Sequence, residues 1–73
     1  MMFIKLTNAS PDFDGKPVVL NAEAIVSVFS AQVTRTPEGK DEYIEDITFV
    51  HCPPNGTWEV RETLDQIYSM IKK

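Results

Sequence analysis

The chain has 73 residues, 42% of them apolar and 25% charged, with a formal net charge of -4. That is the composition of one small folded domain, and the acidic balance counts against a nucleic-acid binder, whose affinity comes mainly from neutralised phosphates. One cysteine, Cys52, excludes an intrachain disulfide and any zinc site built on two or more thiolates.

Phe3 to Thr7 alternates apolar and polar side chains of β-forming types and predicts a first strand. Upstream of it there is no apolar run long enough for a signal peptide, and nowhere do eighteen apolar residues follow one another, so a cytoplasmic protein without membrane insertion is expected. Ala9 to Gly15 is loop chemistry, with Pro11 setting φ, Asp12 and Asp14 able to bond nearby backbone, and Gly15 tolerant of positive φ. Lys16 to Leu20 predicts a second strand, with Pro17 suited to its first position or to an edge.

Asn21 is a good cap for one helical turn through Ala24. Ile25 to Val33 reads as the longest strand, and apolar residues on both its faces predict a central position. Thr36 to Glu42 is a polar turn with Pro37 and Gly39, and Tyr43 to His51 pairs back to complete a long hairpin. In that partner strand Ile44, Asp46, Thr48 and Val50 share one face, while Tyr43, Glu45, Ile47, Phe49 and His51 share the other. Pattern leaves open which face points inward.

Cys52-Pro53-Pro54-Asn55-Gly56 breaks the sheet with two missing donors and a tight-turn dipeptide. Thr57 to Arg61 predicts a short last strand. Thr63 with Gln66 forms a capping box, and Leu64, Ile67 and Ile71 make one apolar stripe with Tyr68 and Met70 beside it. Asp65 at the start and Lys72-Lys73 at the end suit the helix dipole. The expected fold is α+β, one domain over residues 1–73: a small curved antiparallel sheet of about five strands closed by one C-terminal helix. A domain of this size has a small core, so self-association into a homo-oligomer is expected.

Candidate chemistry is sparse. His51-Cys52 offers a base beside a nucleophile, but neighbours on a strand point to opposite faces. Asp12-Phe13-Asp14-Gly15 has the flavour of a calcium loop without the third acidic position. Glu42, Glu45, Asp46, Glu59 and Glu62 read as a polar outer face. No catalytic set, metal site or cofactor is expected. Trp58, Tyr43, Arg35 and Arg61 are the candidate ligand-binding residues, because aromatic rings with guanidinium groups can hold a base or nucleotide; the competing reading is strand packing.

Ile4-Lys5-Leu6-Thr7, Gly15-Lys16, Val19-Leu20-Asn21, Ile25 with Val28, Asn55-Gly56, Val60 and Glu62-Thr63 before the terminal stripe together resemble the small FlbD-like (SwrD-like) proteins. That resemblance implies a sheet-plus-helix fold and a non-catalytic module docking on a protein partner, linked in bacteria to flagellar motor function. The chain carries extra loop residues around Pro11–Asp14 and Arg35–Glu42, and an unusual Cys52-Pro53-Pro54 segment. Similar short phage proteins are the alternative relatives, which would imply an oligomeric sponge that sequesters a small nucleotide signal and so evades host immunity. Val60-Arg61-Glu62 leading into Ile67–Ile71 is similar to the tail of the CsrA regulators, which would imply RNA binding.

Overall fold

Alternation and turn chemistry produce the elements in the expected order. The computed structural model describes residues 2–72. It contains β1 (Phe3–Thr7), β2 (Pro17–Asn21), a 3-10 turn (Ala22–Ala24), β3 (Ser27–Arg35), β4 (Tyr43–His51), β5 (Thr57–Val60) and α1 (Leu64–Ile71). Lys73, assigned above to the helix end, lies outside the described residues.

The strands do not make one five-stranded sheet. They form a two-stranded sheet, β1-β2, and a three-stranded sheet in the order β3-β4-β5, all antiparallel. The two sheets touch through one bridge, Asn8 with Val60, flanked by backbone bonds from Ala9 N to Glu59 O (2.8 Å) and from Arg61 N to Thr7 O (2.9 Å). The ladder stops there because the chain turns away toward α1 just past β5. The Glu62 carboxylate takes the next donor instead, accepting from Thr7 N at 2.8 Å and from Thr7 Oγ1 at 3.0 Å.

Nor is β3 the central strand that the sequence predicts. It is an edge strand, and β4, of the same nine-residue length, holds the centre. Apolar residues on both faces of β3 reflect local cover on each side, not a strand neighbour on each edge. Val28 packs toward the main core, while Phe29 on the other face stacks on Phe49, ring centroids 5.2 Å apart and planes 9° from parallel. β3 also starts two residues late, since Ile25 caps the 3-10 turn and Val26 N donates to His51 O.

The register settles the open question about β4. Val50 pairs with Val28 and Trp58, and Thr48 with Ser30 and Val60, so these residues share the face covered by α1. There Ile4, Leu6 and Leu20 from the small sheet meet Val50, Cys52, Val60 and Ile67 in one buried cluster, with Val28, Trp58 and Ile71 packed at its margin. The opposite face holds Ile47, also buried, outside that cluster. Both faces of β4 are therefore closed over part of its length.

Both caps form as the sequence predicts. Asn21 accepts from Glu23 N, and Thr63 and Gln66 exchange side-chain to backbone bonds in a capping box. Lys72 caps the far end, its N–H donating to Tyr68 O and its Nζ lying 5.6 Å from the Tyr68 ring centre. Pro53-Pro54 is cis, and Gly56 takes φ +107° in the turn where Cys52 N donates to Gly56 O. No helix among the described residues is long and apolar enough to cross a membrane.

Ile67 is wholly buried, whereas Leu64, on the same predicted stripe, is 41% exposed. Replacing Ile67 with Ala is therefore expected to cost about 2–5 kcal/mol in urea denaturation, enough to unfold much of a small domain. Leu64→Ala should cost a small fraction of that, and equal losses would contradict this packing.

Candidate functional site

The strand period of two places Arg35 on β3, Tyr43 and Glu45 on β4, and Glu59 on β5 on the face opposite α1. Arg61 follows β5, and Asp14 comes from the loop after β1. The charged groups among them form a continuous chain of ion pairs. Arg61 grips Asp14 with two bonds, Nε to Oδ1 at 3.0 Å and Nη2 to Oδ2 at 2.9 Å. Its Nη1 donates to Glu45 Oε1 at 2.7 Å. Glu45 Oε2 accepts from Arg35 Nε at 2.9 Å, and Arg35 Nη2 donates to both Glu59 Oε1 and the Ala9 carbonyl at 2.9 Å.

Hydrogen bonds from Arg35 and then from Arg61 hold the Glu45 carboxyl below the usual glutamate range. The same bonds to Glu45 are the main cause that raises both arginines further above their ordinary values, Asp14 adding to the effect on Arg61. Three carboxylates thus meet two guanidiniums, and the cluster carries a net negative charge. It fastens the β3-β4 hairpin to β5 and to the loop after β1.

Of the four candidate ligand-binding residues, Arg35, Tyr43 and Arg61 line one shallow recess of about 150 Å³, together with Pro11, Asp14 and Glu45. Ligand pockets usually run to roughly 300–1,000 Å³. Trp58 is elsewhere. It is half-buried on the α1 face against the core, and its indole Nε1 is buried without a hydrogen-bond partner among the described residues. The sequence suggested one aromatic–cation group; the fold divides it between opposite sides of β5.

The other candidates also separate. Cys52 is buried in the core cluster, with Sγ 4.0 Å from the Asn21 carbonyl, while His51 Nδ1 sits 3.1 Å from Thr57 Oγ1. Asp14 of the supposed calcium loop is taken by Arg61. Among the described residues, no group of three or more His, Cys, Asp or Glu side chains is placed to hold a metal ion.

Sequence reasoning missed a different surface. Ile25, Val26, Ser27, Val28, Leu64, Tyr68 and Ile71 line an apolar groove of about 270 Å³ between the start of β3 and α1. Val26 is 68% and Tyr68 58% exposed. Beside the groove runs the outer edge of β3. Among the described residues, no backbone group from Ser27 to Arg35 bonds outside the ladder with β4. The available signal was the apolar face of α1 being wider than its core contact needs: Leu64 and Tyr68 flank Ile67 and Ile71.

No family model, no curated protein and no solved structure matches this chain.

Glu45 supplies a test of the ion-pair chain. Its carboxyl is depressed in the folded state, so its stabilising contribution is complete above the unfolded value, about pH 4.3, and is lost as pH falls through the lower folded value. Urea midpoints for the parent should drop over that acid window. Glu45→Gln should be less stable at pH 7 and show a shallower acid limb; an equally steep limb would remove Glu45 as its source.

Proposed function

We propose that this chain is a non-catalytic binding module that docks onto a protein partner along the outer edge of β3 and the adjoining groove. One observation carries the reading: a nine-residue strand edge with no backbone partner among the described residues lies beside an apolar groove. An open edge offers a row of donors and acceptors to a second strand, and an adjacent apolar groove supplies side-chain contacts that give the pairing specificity. The resemblance to FlbD-like proteins points the same way.

The nucleotide-sponge reading ranks behind it. Both guanidiniums it would use are engaged by carboxylates, and Trp58 lies on the far side of the sheet from them. An anionic ligand would have to displace Asp14 or Glu45 from Arg61 and would meet a net negative cluster. RNA binding in the manner of CsrA fares no better against a chain charge of -4.

Val26→Glu with Tyr68→Glu places charge in the groove at exposed positions, where folding should change little. The parent protein is expected to retain a reproducible partner, a tagged copy of itself included, at least tenfold better than this double variant. Equal retention by both would remove the groove from the proposal.

Melting scans with cyclic and linear nucleotides are expected to stay flat at ligand well above micromolar concentration. A dose-dependent rise would favour the sponge instead, because a ligand that binds only the folded state raises its stability.

A further inference from the structure

We propose that the strand taken by the outer edge of β3 is β3 of a second copy of this chain, paired antiparallel about a twofold axis through Ala31. The inference rests on the docking reading above and names its partner.

The first support is the character of the edge. Exposed edges are usually blunted by lysine, proline or a bulge. From Ser27 to Thr34 the sequence has no charge, no proline and no glycine, and the register with β4 runs through nine consecutive partners without a skipped residue. The strand's one charged residue, Arg35, is already held by Glu45 and Glu59.

The second support is self-complementarity. A twofold antiparallel pair has its axis perpendicular to the sheet, so equivalent residues stay on one face and some residue must meet its own copy. Centring on Ala31 engages all nine residues of β3. Ser30 then faces Gln32, Phe29 faces Val33, Val28 faces Thr34, and Ser27 faces Arg35. A small alanine sits where two copies come closest, and no like charges oppose each other. Phe29 is 47% exposed despite stacking on Phe49, and opposite Val33 it gains an aromatic–β-branched pair. Moving the centre to Gln32 would set Arg35 against Phe29 and leave Ser27 and Val28 without strand partners.

The third support comes from the layer above. Ile44, 65% exposed, neighbours Thr34 across the hairpin on the face that carries α1. With Thr34 opposite Val28 of the other copy, Ile44 is carried toward that copy's groove of Val26, Leu64 and Tyr68. The twofold repeats the contact. Exposed apolar groups at the two ends of β3 thereby cover one another.

The test uses the full chain with Cys52→Ala, adding Ala31→Cys, Ser30→Cys or Gln32→Cys singly. Light scattering of the parent should give twice 8.3 kDa. Only a residue facing its own copy brings two Cα atoms within the roughly 7 Å that a disulfide spans. Ala31→Cys should therefore cross-link at least tenfold faster than the other two. Ala31→Lys, which sets two charges on the axis, should weaken the dimer at least tenfold while the circular dichroism of the fold persists. Faster cross-linking at Ser30→Cys or Gln32→Cys overturns this register. A parent that stays at 8.3 kDa at high concentration overturns the second copy as partner. If that monomer still captures a different protein through Val26 and Tyr68, the docking reading survives without it; if it captures nothing, both fall.

Discussion

Burial of Ile67 between the two sheets holds this molecule together. The small sheet and the large one share a single bridge, Asn8 to Val60, and hydrogen bonds alone would leave them hinged. The helix closes that hinge by setting Ile67 against a cluster drawn from both, with Ile4, Leu6 and Leu20 on one side and Val50 and Val60 on the other. Each large aliphatic side chain removed from water contributes roughly 1.5–3 kcal/mol, so the handful of residues in this cluster contributes an amount comparable to the whole net stability of so short a protein. The capping box at Thr63 and the bond from Thr7 to Glu62 then fix where the helix begins and hence which residue reaches the cluster.

What the core cannot cover, charge holds. Beyond Ile47 the hairpin runs past the helix, and the chain of pairs from Asp14 through Arg61, Glu45 and Arg35 to Glu59 ties it to the body. This arrangement is why we propose a docking module ahead of a nucleotide sponge. A guanidinium bonded to two carboxylates has few donors left for a phosphate, whereas a strand edge and an apolar groove have their whole interaction capacity unspent. On that proposal the docking surface is hydrogen-bonding backbone and hydrocarbon, a match for another polypeptide.

Much of this was legible from local sequence. Thr63 with Gln66, Asn21, the Asn55-Gly56 turn and the alternation in Tyr43–His51 each act within a few residues, and each element sits where its chemistry places it. Sheet order was not legible, because it depends on which strands meet after the turns. Apolar residues on both faces of β3 look the same whether it is flanked by two strands or stacked on one side and packed on the other. The division of the candidate residues was hidden for a related reason: Trp58 and Arg61, three positions apart at the end of β5, end on opposite faces, and the carboxylates that occupy Arg61 come from forty-seven and sixteen residues away.

The molecule is long for its mass, 44 Å by 20 Å by 18 Å, with oil securing one face of the larger sheet and ions the other. Those two fastenings answer differently to their surroundings. Dissolved salt shields exposed charges over about 8 Å at physiological strength, while strongly hydrated anions such as sulfate tighten apolar contacts. Rising sulfate therefore strengthens the apolar cluster while it weakens chiefly the more exposed Arg61–Asp14 pair, so the balance between the two fastenings is a property of the medium as much as of the fold.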